Sequence, residues 1–305
     1  MKFVKPIGMV LLLAALFLPV TTGCCSSFQE TLWQGHGDAG PMPVFENRFE
    51  TEHFILKWTN RSTHSRDNIN DPRVIRETGA YLETAWQKYS ALFGRTPYTA
   101  PGKSKIEVVF KDLDCYGIAD PPNGPIQFNA YAWMKEKGIR QPTSAHELFH
   151  KMQYAYGYKT KWRPNRPFTW FTEGTAAWAE VYVWGRVSRT CKVDEIFKDT
   201  KMDLYEAEET AMPFWIYFVQ GNREKANDEL MVKLFERAEQ VNDERQALNE
   251  VVLEAYGSVD LFFASFSKDR RKSFWGDSCA LPYKCILGPD GKDLVEKVKS
   301  IQQKS

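Results

Sequence analysis

The sequence predicts an α+β fold, and two observations support this prediction. Up to Gly185, short runs of large apolar residues alternate with helical patterns, which indicates strands and helices in mixed order. From Leu204 onward, every apolar stripe has helical spacing, which indicates helices alone. Strands with helices first, followed by helices only, are typical of α+β proteins.

Local patterns predict the strands and the first long helix. A strand is expected from Phe49 to Thr59, where large apolar residues partly alternate with polar ones. A helix should begin at Pro72 and end at Gly94, because proline suits a first helical turn and glycine suits a helix end. Further strands are predicted at 105–110 and 125–131. The proline that opens the second of these indicates a sheet edge.

Helices account for most of the remaining chain. One begins after Pro142 and contains the segment HELFH, and another runs from near Trp170 to about Gly185. Four further helical patterns cover residues 205–221, 227–240, 244–257 and 259–268. No internal repeat is present.

Size and charge narrow the class of protein. The chain has 305 residues, which is enough to bury a sizeable core. Hydrophobic residues make up 43% and charged residues 26%, as in ordinary globular proteins. The formal net charge is +1 and the basic residues are dispersed, so nothing indicates a nucleic-acid partner.

The amino terminus has the pattern of an export signal. Lys2 and Lys5 precede an apolar run from Ile7 to Val20, which is too short for a comfortable membrane span. A buried first helix is the alternative interpretation. Cleavage after Gly23 would leave Cys24 at a site that resembles the bacterial lipobox, and we therefore expect a lipid-anchored protein of the cell envelope. Plain secretion is the other possibility.

The predicted organisation has five parts, which are a signal peptide (1–23), a polar linker (24–45), a sheet-and-helix subdomain (46–200), a helical subdomain (201–275) and a tail (276–305). In an exported protein disulfides persist. Cys279 and Cys285 are close enough in sequence to staple the tail, and Cys115 could pair with Cys191.

The segment HELFH contains the candidate metal-binding and catalytic residues. Residues four apart share a helix face, so His146 and His150 could both bind one Zn²⁺, with Glu147 beside them as general base. An ordinary helix with a satisfied histidine pair is the alternative. Ser144 and Glu147 also match a capping box, which would occupy that glutamate unless the helix begins earlier.

A catalytic zinc needs three protein ligands, and the best candidate for the third is Glu173. It lies in the next predicted helix, after a polar turn long enough to fold one helix against the other. Gly174 is expected to let this helix pack closely on the histidine helix. Glu180 shares the face of Glu173 and could hold a ligand histidine by its other ring nitrogen.

HELFH followed by WFTEGTAAWAE resembles the gluzincin metallopeptidases, and also a group of exported bacterial proteins classed as metalloproteases. The resemblance implies a zincin-like catalytic domain, with a small mixed sheet, a helix with the HExxH motif and a third-ligand helix. It implies one catalytic Zn²⁺ with His146, His150 and Glu173 as ligands and Glu147 as base. Glu180 matches the second acidic position, since position 177 is alanine.

These features predict a zinc-dependent hydrolase of peptide bonds. No counterpart of the Gly-x-Met-Glu-Asn strand of the related aminopeptidases is found, which favours an endopeptidase. The expected partners are a peptide or protein substrate, and a membrane only through a lipid anchor at Cys24. One alternative is a zincin-fold envelope lipoprotein that binds metal or peptide without turnover. Another is a structural lipoprotein without metal.

Overall fold

A computed structural model provides the fold. The structure describes residues 42–119, 121–161, 169–185, 204–206, 211–220 and 226–270, without the side chains of 206 and 267–270. Among the described helices, none combines the length and the apolar character that crossing a membrane would require.

Several predictions fall on residues outside these ranges. They are the signal peptide at 1–23, Cys24, most of the linker, Cys191, and the tail at 276–305 with its cysteine pair. Cys115, the expected partner of Cys191, is buried. All of these stay predictions.

The protein is α+β, with a small mixed sheet of five strands in the order β1-β2-β3-β5-β4. The strands are β1 (Asn47–Glu50), β2 (Phe54–Trp58), β3 (Ile106–Lys111), β4 (Gly117–Ile118) and β5 (Ile126–Asn129). The central strands β2, β3 and β5 are parallel, and the outer strands β1 and β4 pair with them antiparallel.

Two strand predictions were wrong in part. The strand expected from Phe49 to Thr59 is a hairpin, because the chain turns where Thr51 N–H donates to the carbonyl of Phe54 at 3.0 Å. The strand β5 exists, but it lies between β3 and β4 and not at an edge. Pro125 comes just before the strand, so its missing N–H removes no bond from the ladder.

Eight α-helices lie in the described residues. They are α1 (Pro72–Phe93), α2 (Ala130–Lys135), α3 (Arg140–Ala155), α4 (Thr169–Trp184), α5 (Met212–Gln220), α6 (Glu229–Val241), α7 (Glu244–Tyr256) and α8 (Val259–Arg270). The predicted ends of α1 are confirmed. Asp71 accepts a bond from Arg73 N–H before the helix, and Gly94 ends it with a left-handed φ of 61°.

One face of the sheet forms the core. Phe54 of β2 meets Trp86 of α1 edge to face, with ring centroids 5.8 Å apart. The opposite face carries half-exposed polar side chains, among them Lys57 and Glu107, which form an ion pair at 2.9 Å. This face is only partly wetted, because Val109 and Lys111 of β3, which also lie on it, are buried.

The C-terminal helices pack on the same core. Phe235 of α6 contacts four aromatic rings, which belong to Phe93 of α1, Phe149 of α3, Tyr156 at the end of α3 and Phe171 of α4. The described part of the helical region therefore supports the helix pair α3–α4, and one hydrophobic cluster includes residues of both regions.

Gly174 is needed for a different contact from the one expected. A Cβ at this position would lie 2.5 Å from Nε1 of Trp215 and 2.8 Å from Cβ of Ala211. The close approach is therefore to the α5 region and not to α3. It allows Trp215 Nε1 to donate to the carbonyl of Trp170 at 3.0 Å, which ties α5 to the start of α4.

Replacement of Gly174 by alanine should lower the free energy of unfolding by about 1–3 kcal/mol, because the added methyl group overpacks a filled contact. Gly138→Ala is the matched control, since no atom lies within 4 Å of a Cβ there. It should change stability by less than about 0.5 kcal/mol. Urea unfolding of both variants measures the difference. Equal losses of unfolding free energy would show that the α4–α5 contact can adjust to the added methyl group at little cost.

Candidate metal centre

The helix α3 brings the two histidines of HELFH together. His146 and His150 lie four residues apart on one face, with ring centroids 4.9 Å apart. His146 is buried and His150 is half-buried. On the other side of α3, Tyr89 of α1 donates to the carbonyl of Ala145 at 2.9 Å, which holds this turn of the helix against the core.

The capping box does not form, because α3 begins at Arg140. Ser144 lies in the second turn, and its hydroxyl donates to the carbonyl of Arg140 at 2.6 Å. Glu147 is therefore not needed as a cap. The helix thus begins earlier than the box would require, as expected, but the predicted start after Pro142 is wrong. Pro142 lies inside the first turn of α3, where a proline removes no helical hydrogen bond.

The helix α4 packs along α3 and brings Glu173 to both histidines. Oε2 of Glu173 lies 3.1 Å from Nε2 of His146 and 3.5 Å from Nε2 of His150. All three donor atoms lie within 4.8 Å of one another. The three residues predicted as metal ligands thus meet at one point, between two helices that follow each other in the chain.

Two of the three distances between these donor atoms match the spacing of zinc ligands. Ligand atoms at 2.0–2.1 Å from a tetrahedral Zn²⁺ lie about 3.3 Å from each other. The two distances from Glu173, 3.1 and 3.5 Å, bracket that value. Two imidazole nitrogens and one carboxylate oxygen are also a donor set that zinc accepts in catalytic sites.

Glu180 orients the first histidine, as its position in the sequence predicted. Its Oε1 lies 2.8 Å from Nδ1 of His146, and both side chains are buried. Because a carboxylate only accepts, Nδ1 must donate the proton. The Nε2 atom of His146 then faces Glu173 and the candidate metal position.

Gln153 orients the second histidine, and sequence reasoning gave it no role. Its Oε1 lies 2.9 Å from Nδ1 of His150, and its Nε2 donates to the carbonyl of Thr172 at 2.7 Å. A carbonyl oxygen only accepts, so the amide nitrogen must face Thr172 and the amide oxygen must face His150. The proton of His150 is thereby placed on Nδ1, which leaves Nε2 for a metal.

Charge at the centre favours a protonated His146 when no metal is bound. Burial lowers the pKa of His146, but the hydrogen bonds to Glu173 and Glu180 outweigh it and hold the pKa well above its ordinary value. Burial also lowers the pKa of His150, and the charge of Glu173 raises it above its usual range. For Glu173, burial raises the pKa, but the two histidines bring it well below the ordinary value.

Glu147 lies beside the centre and against the sheet. It is buried, and its charge raises the pKa of both histidines. A Cβ on Gly117 of β4 would lie 2.7 Å from Cγ and 2.8 Å from Oε1 of Glu147. A side chain at position 117 would force the carboxylate of Glu147 to move, and the sequence alone offered no signal that singled out Gly117.

A second group of possible ligands, Glu52, His53 and Glu83, is better explained by hydrogen bonds between His53 and Glu83. Both oxygens of Glu83 face His53, one near its backbone N–H at 2.8 Å and one near Nδ1 at 2.7 Å. The ring of His53 stacks on Trp86, and Glu52 is 78% exposed. These contacts fix the β1–β2 turn against α1.

Neither protein-family models nor curated proteins match this chain.

Zinc affinity should increase with pH beyond the ordinary histidine value of 6.5, because zinc must displace a proton that the raised pKa of His146 retains. Below that raised pKa, binding should release protons, and affinity should fall as the solution becomes more acidic. Calorimetry in buffers of different ionisation enthalpy measures the release.

One equivalent of zinc should bind to the parent protein. His146→Ala and Glu173→Ala should lose it, whereas His53→Ala, in the second group, should keep it. If the parent protein contained no zinc after exposure to zinc, the assignment of the three metal ligands would be contradicted.

Glu180→Leu should lower zinc affinity by about 10–100-fold, because the ring of His146 loses the acceptor that orients it. Glu180→Gln keeps an acceptor of the same shape and should lose less. Chelator competition measures both variants. Equal losses would mean that the charge of Glu180, and not its orientation of the ring, matters.

Proposed function

We propose that this protein is a zinc-dependent peptidase with a zincin-like catalytic region. His146, His150 and Glu173 would hold one Zn²⁺, and Glu147 would act as the general base. One observation carries the proposal: the HELFH helix and the WFTEG helix lie side by side, with their donor atoms at zinc spacing and a further buried glutamate beside them.

A zinc ion at this centre would polarise the scissile carbonyl and lower the pKa of a water molecule toward 7. The protein would supply the proton transfers. Glu147 would accept a proton from the attacking water and deliver it to the leaving amine. The absent side chain of Gly117 leaves space for this carboxylate beside the centre.

The edge of the sheet near Glu147 is β4, and we propose it as the strand that pairs with an extended substrate. In the described sheet, β4 has β5 on one side only. A peptide could add to the other side by backbone hydrogen bonds, which is a common mode of peptide recognition. The strand β5, which its preceding proline led us to expect at the sheet edge, cannot take this role, because β4 covers it.

We favour cleavage inside a chain over removal of a terminal residue. Recognition of a free amino terminus needs an acid near the edge strand, and neither β4 (Gly117–Ile118) nor β5 (Ile126–Asn129) contains one. Export and a lipid anchor at Cys24 remain part of the proposal, supported by the amino-terminal sequence alone.

Glu147→Gln should keep zinc and lose hydrolysis by about 10²–10⁴-fold, because the amide has the same shape but cannot accept the proton. Digestion of a peptide library, with zinc content measured on the same samples, tests this. Glu107→Gln, on the wetted face of the sheet, is the control and should retain full activity.

Three results separate the possibilities. Peptide cleavage by Glu147→Gln at the parent rate would remove the base assignment. A parent protein that binds zinc and peptide but cleaves none would be a binding module. A parent protein that binds no zinc would be neither a zinc peptidase nor a zinc-binding module.

A further inference from the structure

Lys151 is a buried cation that the proposed chemistry does not use. It directly follows His150 in α3, and it is 1% exposed. Lysine is almost never fully buried unless its charge is compensated, because removal of an ammonium group from water costs several kcal/mol. Lys151 must therefore have partners that compensate for the loss of water around its ammonium group.

The ammonium group of Lys151 is bound by a turn of the chain. Its Nζ donates to the carbonyl oxygens of Pro122 at 2.8 Å and Gly124 at 2.9 Å, with Pro121 at 3.4 Å. The three donors of an ammonium group thus face three carbonyl oxygens. The turn is itself closed by a bond from Gly124 N–H to the carbonyl of Pro121 at 2.9 Å.

This turn connects β4 to β5. The strand β4 pairs with β5 at only two positions, Gly117 with Phe128 and Ile118 with Gln127. So short a strand has few ladder bonds, and its place depends on the segments that flank it. At its start, Asn129 donates to the carbonyl of Cys115 at 3.1 Å. Beyond its end, the turn is held by Lys151.

One helix therefore carries both the metal donors and the anchor of the edge strand. Successive residues of a helix point about 100° apart, so His150 can face α4 while Lys151 faces the turn. The adjacent residues His150 and Lys151 thus link the metal centre to the turn that follows β4.

We propose that Lys151 is a positioning residue, which holds β4 at the distance from the metal centre that an extended peptide requires. The substrate part of this inference rests on the proposed peptidase function. The part that concerns β4 does not, because it can be measured without substrate.

A second contact joins the same turn from the outside. The backbone of Tyr98 is bound to that of Lys151, because the N–H of Tyr98 donates to the carbonyl of Lys151 at 2.8 Å. Its hydroxyl donates to Oδ1 of Asn123, in the middle of the turn, at 2.9 Å. Tyr98→Phe therefore loosens the turn without disturbing the buried charge.

Lys151→Met removes the three donors and keeps most of the apolar stem. It should raise hydrogen exchange at residues 116–124, while the amides of β3 and zinc stoichiometry stay as in the parent. With a peptide substrate, KM should rise about three- to tenfold, the factor for loss of one hydrogen bond, with kcat little changed. Lys151→Arg, which keeps the charge, should recover part of both effects.

Lys105→Met is the matched control. Lys105 also anchors a turn, because its Nζ donates to the carbonyl of Thr51 at 2.6 Å and to Glu50 at 2.9 Å, but that turn joins β1 to β2 at the opposite edge of the sheet. Its removal should leave KM and exchange at residues 116–124 unchanged.

The outcomes separate the two proposals. A parent that binds zinc but cleaves no peptide would remove the peptidase function and the substrate role of Lys151, while exchange would still decide whether Lys151 positions β4. Unchanged exchange at 116–124 in Lys151→Met, or an equal rise there and in β3, would overturn the positioning role. If Lys151→Met does not fold, Lys151→Arg is measured instead: a smaller rise in exchange confined to residues 116–124 supports the positioning role, and unchanged exchange there overturns it.

Discussion

The contact of His146 with two glutamates of α4 is the interaction on which the rest of the structure depends. Nε2 and Nδ1 of the ring lie 3.1 and 2.8 Å from Glu173 and Glu180, inside a buried interface. Buried carboxylates are costly without a cation, and a buried imidazole gains its charge from them. The helices α3 and α4 are therefore joined by the same groups that could hold a metal.

Much of the surrounding fold keeps these two helices in place. Phe235 of α6 touches aromatic rings from α1, α3 and α4, and the absent side chain of Gly174 allows α5 to approach α4. Gln153 bridges the helices directly, since it contacts His150 of α3 and the carbonyl of Thr172 in α4. A change in helix packing would therefore change the orientation of both histidines, which links the stability of the core to metal affinity.

The helix α3 also connects the metal centre to the edge of the sheet. Glu147 packs against Gly117 of β4, and Lys151 binds the turn after it. The two histidines, the proposed base and the lysine that binds the turn therefore all project from one helix of regular geometry. A site built on a rigid element holds its parts to closer tolerance than a site built on loops. In the proposed reaction, this arrangement would align the base, the metal and the peptide without a separate scaffold.

The sequence by itself determined what depends on neighbours in the chain. The periodicity that places His146 and His150 on one face, the ends of α1, and Glu173 and Glu180 two turns apart are local properties of a helix. Only the tertiary structure decided which strand forms the edge, and which residues meet the motif from afar. Gln153 lies only three residues after His150, but its amide is oriented by Thr172 of the next helix. Strand order, the space left by Gly117, the orientation of that amide and the burial of Lys151 arise from long-range packing, and residues far apart in sequence leave no periodic trace of such contacts.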